Sequence, residues 1–200
     1  LIIGRGWGQG PTHSQNYISW FRNVPNVKIF CPTFPDDVYK LYLKIPSIEG
    51  PIIIAEHRWV HFQKQKINLL NNKKNIFKCN FLSKGNDLTI VSYSYSTIEI
   101  LKLYKILKKN RISFDHIDLN SIKPLDINSI LKSLKKTGKL LIFDNTSFPY
   151  CSVGKDIISM IVEKNVKLLK KSPLLLTLPD MPAPTSHFQT KFGTQLNSYK

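Results

Sequence analysis

Apolar and polar residues follow one another along the chain in blocks that predict strands alternating with helices. Residues 52–55 are apolar at every position, which is typical of a parallel strand buried on both faces. Between residues 35 and 45 the apolar side chains recur at three- and four-residue spacing, which predicts a helix. The same patterns predict further strands at 1–3, 27–31, 87–93, 114–119, 139–144 and 174–178, and further helices at 15–22, 94–110, 127–136 and 154–164. This alternation indicates an α/β fold with a parallel sheet covered by helices on both faces.

A polar stretch rich in lysine and asparagine interrupts this alternation at residues 63–74. We interpret it as a linker between a first domain at 1–62 and a second domain at 75–200, each forming its own sheet. In the second domain the predicted order βαβαβαβ is that of a small doubly wound domain with right-handed crossovers. Near its end, two closely spaced prolines exclude a helix from residues 180–186 and predict an extended strap packed on the domain.

The formal net charge is +16, and the excess of basic residues is concentrated after residue 63. Residues 1–63 carry six lysines or arginines and four acidic residues, whereas residues 64–200 carry 23 and nine. Most of the excess is lysine, although arginine is the side chain that usually reads bases and phosphates. The charge therefore favours a general compositional bias over a functional basic surface, and it argues against nucleic-acid binding.

Other classes of protein are disfavoured by what the sequence lacks. The three cysteines are far apart and odd in number, which suits a reducing compartment better than a disulfide framework. No apolar run reaches the roughly 18 residues of a membrane span. No CxxC pair or cluster of histidine and cysteine indicates a protein-bound metal. We therefore expect a globular chain with no membrane span and no metal ligands of its own.

Glycines occupy alternate positions near the start of the chain, at 4, 6, 8 and 10, and Pro11 follows them. Glycine tolerates positive φ and close backbone approach, so this spacing predicts a shaped loop. The loop matches neither the dinucleotide-binding fingerprint nor the P-loop. The loop places His13 next to the amino end of the helix predicted at 15–22, and Ser14 is the predicted N-cap of that helix. A histidine at a helix amino terminus is a candidate site for an anion, and a structural turn with a surface histidine is the alternative.

Two further segments combine polar residues with the predicted elements. Residues 56–59, Glu-His-Arg-Trp, follow the strand predicted at 52–55, at the edge where open α/β sheets bind ligands. We expect either a salt-bridged strand end or catalytic residues there, with His61 on a loop. Residues 152–156 open the helix predicted at 154–164 and form either a helix start packed on the sheet or a binding loop.

Several ordered motifs carry a resemblance to a known family. They are Gly-Trp-Gly-Gln-Gly-Pro-Thr-His-Ser-Gln at 6–15, Cys-Pro-Thr at 31–33, Gly-Pro-Ile-Ile-Ile-Ala-Glu-His-Arg at 50–58, Ile-Asp-Leu-Asn-Ser-Ile-Lys-Pro-Leu-Asp at 117–126 and Leu-Pro-Asp-Met-Pro-Ala-Pro-Thr-Ser at 178–186. Together they resemble the beta subunits of thiamine-diphosphate-dependent 2-oxo acid dehydrogenases. The resemblance implies the back part of a parallel-sheet pyrimidine-binding domain followed by a doubly wound transketolase C-terminal domain. The front half of the first domain, with the family's cofactor-activating glutamate, has no counterpart, so we expect a fragment or a partial gene product.

The resemblance also implies a reaction, its cofactors and its partners. The reaction would be oxidative decarboxylation of pyruvate or a related 2-oxo acid, with acyl transfer to a lipoyl group. Thiamine diphosphate would be shared with an alpha subunit that holds Mg²⁺, and the other partners would be a second beta subunit and a lipoyl acyltransferase core. His13 matches the family's active-site histidine, and Trp7 and Gln15 would line the cofactor pocket. The implied compartment is the cytoplasm or an organelle matrix, and we expect residues 1–200 alone to be inactive.

The chain departs from the family pattern at two loops. The family's monovalent-cation loop corresponds to residues 45–50, where Ile48 stands at the acidic position and Glu49 lies beside it, which argues against potassium binding. In the other loop Ser152 replaces a glycine and Asp156 replaces a glutamate. Two alternatives remain: a non-catalytic assembly module, and a sugar enzyme of the transketolase or deoxyxylulose-phosphate synthase branch. The Gly-Pro-Thr-His-Ser-Gln run fits the 2-oxo acid branch better than the sugar branch.

Overall fold

The computed structural model describes residues 1–5, 7–67 and 75–186. We call residues 1–5 and 7–67 the first region and residues 75–186 the second region; most of the predicted linker, residues 68–74, lies outside the described residues. The helices are α1 (Ile18–Arg22), α2 (Pro35–Lys44), α3 (Tyr95–Lys109), α4 (Ile127–Thr137) and α5 (Val153–Asn165). The strands are β1 (Ile2–Ile3), β2 (Lys28–Phe30), β3 (Ile52–Ile54), β4 (Glu56–His57), β5 (Asn80–Ser83), β6 (Leu88–Ser92), β7 (Phe114–Asp118), β8 (Ser121–Lys123), β9 (Leu140–Asp144) and β10 (Leu174–Thr177). Single 3₁₀ turns cover Pro11–His13, Ile45–Ser47, Arg58–Phe62 and Val166–Leu168.

Every strand and helix that the hydrophobic pattern predicts is present, and local signals explain several ends. Helix α2 begins at Pro35, whose fixed φ suits the first helical position, and Asp36 and Asp37 lie in the first turn. Helix α4 ends at Thr137, because Gly138 takes the left-handed conformation with a φ of 68°. These ends follow from single residues, so the sequence places them well.

Helix α1 begins later than predicted, and Ser14 does not cap it. Its first residue is Ile18, and the N-cap residue Tyr17 makes no side-chain cap bond. Asn16 Oδ1 instead accepts a hydrogen bond from Ile18 N–H at 3.0 Å. A 3₁₀ turn covers Pro11–His13, and residues 14–17, which lie between it and α1, are not helical. Asn16 rather than Ser14 is therefore the residue that starts the helix.

The second region forms a five-stranded sheet with the order β10-β9-β6-β7-β5. All neighbouring strands are parallel except β5, which runs antiparallel to β7. Helices α3, α4 and α5 pack against the central strands β6 and β9. This arrangement confirms the predicted α/β class and the doubly wound parallel sheet. Strand β5 was not predicted, because its sequence Asn-Phe-Leu-Ser has neither a continuous apolar run nor a clear alternation.

Strands β1 and β4 pair in parallel within the first region, but the region's other sheet includes a strand of the second region. Strand β2 pairs in parallel with β3 on one side and antiparallel with β8 on the other. Because β8 belongs to the second region, the expectation of separate sheets is wrong. The pairing is continued by Cys31 N–H, which donates to the Asn120 carbonyl at 2.8 Å. Lys123 Nζ adds bonds to the carbonyls of Arg22 at 2.8 Å and Val24 at 2.6 Å. An exposed strand edge offers unpaired N–H and C=O groups, and β8 satisfies those of β2.

The segment at residues 178–186 contains no helix, as predicted, but it bends at residues 180, 181 and 185 and so is not fully extended. Leu178 N–H donates to the Ser147 carbonyl at 2.9 Å. Ala183 is buried, so the strap at 178–186 is packed on the protein through at least one side chain. Among the helices of the described residues, none is long and apolar enough to cross a membrane.

Candidate active site

The glycine loop owes two of its glycines to close packing. Gly4 has a φ of 94°, and a Cβ built on it would lie 2.1 Å from ring atoms of His57. Gly10 has a φ of 70°, and its Cβ would lie 3.0 Å from the methyl carbon of Thr185. L-residues rarely adopt these φ values, and neither position has room for a side chain unless a neighbour moves. The loop is therefore held at both ends, by His57 and by the strap at 178–186.

His57 is a neutral core residue rather than a proton donor. Its ring is buried and stacks on Tyr95 with the ring centres 4.8 Å apart. Its Nδ1 accepts a hydrogen bond from Trp59 N–H at 3.1 Å. Burial, together with the nearby charges of His61 and Arg58, lowers the pKa of His57 to about 3. For this histidine the structural alternative for the Glu-His-Arg-Trp segment is the better supported one.

His13 is exposed at the end of the first 3₁₀ turn. Arg58 Nη2 donates to the His13 carbonyl at 3.3 Å, and the guanidinium carbon of Arg58 lies 5.8 Å from the centre of the Trp7 ring. Arg58 thus brings together the predicted catalytic histidine and one predicted cofactor-binding residue. Gln15 is half-buried, and no hydrogen bond within the described part of the chain joins it to this group. Arg58 Nε is also buried and has no partner among the described residues.

An aromatic ledge, formed by Trp7, Trp59 and Phe62, lies beside Arg58. Trp7 meets Trp59 edge to face with ring centres 5.3 Å apart and Phe62 at 5.9 Å. Trp7 is 38% exposed and Phe62 is 62% exposed. Contiguous apolar surface of this kind often marks a place where a ligand or a partner binds. The ledge therefore offers flat aromatic faces close to the loop that carries His13.

Three residues after His13, the side chain of Asn16 reaches into the second region. Asn16 Nδ2 donates to Thr146 Oγ1 at 2.9 Å and to Ser147 Oγ at 3.1 Å. Asp144, fully buried at the end of β9, accepts bonds from Thr146 Oγ1 at 2.8 Å and from Ser147 N–H at 3.1 Å. No local sequence pattern indicates this network, because Asn16 and Thr146 are 130 positions apart.

Further contacts join the same two segments. Ser19 Oγ donates to the Cys151 carbonyl at 2.6 Å, Arg22 forms an ion pair with Asp156, and the Arg5 guanidinium lies 5.1 Å from the centre of the Phe148 ring. We call the contact between residues 5–22 and residues 144–156, together with Tyr93, the His13 junction. The second region thus determines where the glycine loop and α1 lie.

The loop at 152–156 is part of this junction as a helix start. Ser152 Oγ accepts a hydrogen bond from Lys155 N–H at 3.3 Å, which caps α5. A Cβ on Gly154 would lie 2.4 Å from a methyl carbon of Leu175, so the glycine permits the helix to pack on β10. Asp156 is engaged with Arg22. These contacts support the packed-helix alternative over a binding loop.

A second junction surrounds Asp118, which is fully buried at the end of β7. Thr33 Oγ1 and Thr97 Oγ1 each donate to Asp118 Oδ1 at 2.6 Å. Asn80 Nδ2 lies 3.2 Å from Asp118 Oδ2 and 3.2 Å from Asp37 Oδ2, so one amide bridges two carboxylates. Burial and then the charge of Asp37 raise the pKa of Asp118 to about 6, against the hydroxyl and amide donors that lower it. We call these five residues the Asp118 junction.

Cation binding receives no support from the described residues. Within the described ranges, no group of three or more His, Cys, Asp or Glu side chains could hold a metal ion. In the loop that corresponds to the family's monovalent-cation site, Lys28 Nζ donates to the Glu49 carbonyl. A lysine ammonium on that carbonyl places a positive charge in the loop, which disfavours a second cation there.

Comparison with known proteins identifies the relatives of this chain. Residues 78–198 match the family described as transketolase, C-terminal domain. The chain is 26% identical over 185 residues to the beta subunit of an acetoin:2,6-dichlorophenolindophenol oxidoreductase from Cupriavidus necator, covering 92% of this chain and 54% of that protein. It is 30% identical over 183 residues to the pyruvate dehydrogenase E1 component subunit beta of Mesostigma viride, covering 92% and 56%. The chain thus spans about half the length of these curated relatives.

Solved structures agree with this assignment at the level of the fold. A split-gene transketolase, described as an inactive beta4 tetramer, superposes with a TM-score of 0.76 at 20% identity, over 98% of this chain and 61% of that one. A transketolase from Pichia stipitis superposes with a TM-score of 0.55 at 21% identity, over 72% of this chain and 22% of its own. The chain therefore belongs to the transketolase C-terminal domain family, and along nine-tenths of its length it is similar to E1 beta subunits of pyruvate and acetoin dehydrogenases.

Proposed function

We propose that this chain is the His13-bearing part of a thiamine-diphosphate-dependent 2-oxo acid dehydrogenase beta subunit. The observation that carries the proposal is the exposed His13, held by Arg58 beside the aromatic ledge on a loop fixed at both ends. A rigid loop that presents an imidazole to solvent is suited to proton transfer to a bound molecule. The relatives named pyruvate dehydrogenase E1 component subunit beta, at 28–30% identity, favour pyruvate or a related 2-oxo acid as the substrate.

The residues around His13 fit one part of the cofactor and leave the rest to a partner. Trp7 and Phe62 present exposed aromatic faces, which suit contact with a planar heterocycle. Arg58 Nε is a buried donor with no partner among the described residues, and an acceptor on a bound group would satisfy it. Trp7 would hold the cofactor, with Gln15 at the border of its pocket. The diphosphate and its Mg²⁺ would be held by the alpha subunit.

His13 supplies a proton-transfer group to the reaction. Thiamine diphosphate, when bound, supplies the electron sink for loss of carbon dioxide. The nitrogens of an imidazole ring can donate or accept a proton, so His13 can give a proton to the reacting oxygen or take one from it. The bond from Arg58 goes to the His13 carbonyl, which fixes the backbone and leaves both ring nitrogens available. In the later step His13 assists acyl transfer to the lipoyl sulfur.

The proposal implies a multi-subunit assembly. The partners would be an alpha subunit, a second beta subunit and a lipoyl acyltransferase core, in the cytoplasm or an organelle matrix. The three cysteines, Cys31, Cys79 and Cys151, are free, which fits a reducing compartment. Because the diphosphate and metal ligands would come from the alpha subunit, we expect residues 1–200 alone to release no carbon dioxide from pyruvate.

Substitution of His13 in the assembled complex tests the proposal. His13→Ala should leave thiamine diphosphate binding unchanged in calorimetry, because His13 holds neither the diphosphate nor the metal. Turnover with the lipoyl acceptor should fall by roughly 10²–10⁴-fold, the usual loss when a positioned general acid or base is removed. His61→Ala is the matched control, since His61 is a partly exposed histidine of the same region that pairs with Glu56.

The same assay separates the alternatives. A non-catalytic assembly module predicts poor assembly but near-normal turnover per assembled His13→Ala complex. Turnover within a few-fold of the wild type would therefore contradict a catalytic His13. A sugar enzyme of the transketolase or deoxyxylulose-phosphate synthase branch would act on sugar phosphates and would not transfer an acyl group to a lipoyl acceptor. Turnover of sugar phosphates without lipoyl acylation would contradict the 2-oxo acid dehydrogenase assignment.

A further inference from the structure

Asn16 forms hydrogen bonds in two directions. Its Oδ1 accepts from Ile18 N–H at 3.0 Å and so starts α1. Its Nδ2 donates to the hydroxyls of Thr146 and Ser147, on the loop that follows β9. One amide side chain therefore connects the segment that carries His13 to the second region. The proposed reaction, as described so far, uses neither Asn16 nor its partners.

The partners of Asn16 are themselves oriented by Asp144. Tyr93 O–H donates to Asp144 Oδ2 at 2.8 Å, and Thr146 O–H donates to Asp144 Oδ1 at 2.8 Å. The backbone N–H groups of Thr146 and Ser147 both donate to Asp144 Oδ1 at 3.1 Å. Since the Thr146 hydrogen points to the carboxylate, its lone pairs are available to Asn16 Nδ2. The carboxylate thus fixes the direction of the bonds that reach the His13 segment.

Removing the Asp144 carboxylate from water costs free energy, and hydrogen-bond donors around it must offset that cost. Asp144 and Tyr93 are almost completely inaccessible to solvent, and burial raises the pKa of both groups. A carboxylate offers only acceptors, so it organises four donors at one point. The loop so organised contacts residues close to His13 and leaves the His13 ring exposed. The network fits a role in holding the catalytic loop rather than in contacting substrate.

We propose that Asn16 and Asp144 are positioning residues that hold His13 in its reacting place, an inference that rests on the proposed function. The bonds from Asn16 to Thr146 and Ser147 form a tie between β9 and the His13 segment. Ser19 and Arg22 join the same two segments at other points, so α1 stays docked when the tie is cut. Cutting the tie should therefore displace His13 without unfolding the protein.

Asn16→Asp separates the tie from the helix start. The aspartate keeps an oxygen for Ile18 N–H, loses both amide donors and places a second carboxylate near Asp144. In the assembled complex at pH 7.5 we expect kcat to fall 10- to 100-fold while KM for the 2-oxo acid changes less than threefold. The ratio of variant to wild-type kcat should rise as pH falls, because a protonated aspartate can donate again. Ser19→Ala is the control: it removes a neighbouring bond and should leave kcat within twofold.

A double-mutant cycle tests whether the tie acts through His13. In the His13→Ala background, Asn16→Asp should lower kcat by less than a further twofold. A further 10-fold loss would overturn the inference, because the tie would then act on something other than His13. Wild-type kcat in a folded, assembled Asn16→Asp complex would overturn it as well.

Hydrogen–deuterium exchange of the unliganded complex gives a readout that does not depend on activity. Amides at residues 12–15 should exchange at least fivefold faster in Asn16→Asp than in wild type or Ser19→Ala. Unchanged exchange at residues 12–15 would overturn the inference that Asn16 holds the His13 segment. Normal turnover of His13→Ala would instead overturn the proposed function, and the faster exchange of Asn16→Asp would still be expected. Should Asn16→Asp fail to fold, the nearly isosteric Thr146→Val removes one partner hydroxyl. The same faster exchange is expected of it, and wild-type exchange overturns the inference.

Discussion

Two of the contacts between the regions are the His13 junction and the Asp118 junction, each built round a fully buried aspartate at the carboxyl end of a parallel strand. In the His13 junction Asp144 accepts bonds from hydroxyl and backbone N–H groups of neutral residues. In the Asp118 junction Asp118 accepts two hydroxyl bonds and shares the amide of Asn80 with a second carboxylate, Asp37. The donors to Asp144 in the first junction are all neutral groups. In the second junction two carboxylates, Asp118 and Asp37, lie close together.

This difference indicates that burial alone does not decide what a buried carboxylate does. Burial raises the pKa of both aspartates, but for Asp118 the charge of Asp37 adds to burial and brings the pKa to about 6. We therefore expect the stability of the His13 junction to depend chiefly on side-chain packing and on its hydrogen-bond donors. The stability of the Asp118 junction should depend on pH. Four predictions, from the largest expected effect to the smallest, test this contrast.

Gly4→Ala should be the most destabilising change, because it forces a side chain into the His57 ring at the entrance of the His13 junction. The Cβ would lie 2.1 Å from ring atoms, and the φ of 94° is strained for alanine. We expect a loss of about 3–5 kcal/mol in the free energy of unfolding, from overpacking and backbone strain together. Urea unfolding measures it.

Gly50→Ala is the matched control for Gly4→Ala. Gly50 has a similar φ of 81°, but the atom nearest to its Cβ would be the flexible end of Lys28 at 3.2 Å, and the Asn26 carbonyl oxygen would lie at an ordinary contact distance of 3.5 Å. It should cost about 1–2 kcal/mol, from backbone strain alone. Equal losses for the two variants would show that the shape of the His57 contact is unimportant.

Asp144→Ala should follow, with a loss of about 3 kcal/mol at pH 8. It leaves the Tyr93 hydroxyl and two backbone N–H groups buried without their acceptor. Asp118→Ala should cost less at the same pH, because it also removes the repulsion with Asp37. Asp180→Ala, at an exposed position of the strap, should stay within about 0.5 kcal/mol of the wild type. A larger loss for Asp118→Ala than for Asp144→Ala would reverse the contrast between the junctions.

Asp37→Asn should change how stability depends on pH. An unfolded aspartate titrates near pH 4, whereas the pKa of folded Asp118 is about 6. Between these values the folded protein holds a proton that the unfolded chain has lost. The contribution of this proton to the free energy of unfolding is fully present below about pH 4 and is lost as pH rises through about 6.

Removing the charge of Asp37 relieves that loss. The variant should be more stable than the wild type by on the order of 1–2 kcal/mol at pH 7–8, and the difference should shrink towards pH 4. Burial lowers the pKa of His57 to about 3 and that of His116 to about 4, which gives the opposite trend in both proteins. The quantity to measure is therefore the difference between variant and wild type at each pH. A constant difference from pH 4 to 8 would contradict the prediction.

Arg22→Ala should have the smallest effect. Its partner Asp156 is 47% exposed, so solvent screens the ion pair, although the pair lies in the His13 junction. We expect a loss below about 1 kcal/mol that vanishes in 1 M salt. Lys102→Ala, which removes the exposed pair with Glu99, is the control and should behave alike. A salt-independent loss above 2 kcal/mol would make charge important in this junction too.

Sequence patterns were sufficient to predict the strands and helices that bury continuous or periodic apolar faces. They were insufficient where hydrogen bonds between polar groups determine the pairing or the contact. The all-apolar β3 and the long α3 were predicted, whereas β8, Ser-Ile-Lys, was missed because its partner strand lies far away in the sequence. His13 was proposed as a site residue from a run of neighbouring residues. Asn16 stands in the same run, but its role depends on hydroxyls that the fold brings to it, and no local spacing encodes them.

The antiparallel pairing of β8 with β2 bears on how the chain emerges from the ribosome. Ile29 lies opposite Lys123, so β2 waits for its second neighbour until much of the second region has been made. Contacts of such sequence separation form late, because the intervening loop must first be closed. Until then the nascent first region exposes a strand edge that can pair with other chains. Chaperone engagement with stalled nascent chains should accordingly be stronger when synthesis stops before β8 than when it stops after β10, where β8 has left the ribosomal tunnel.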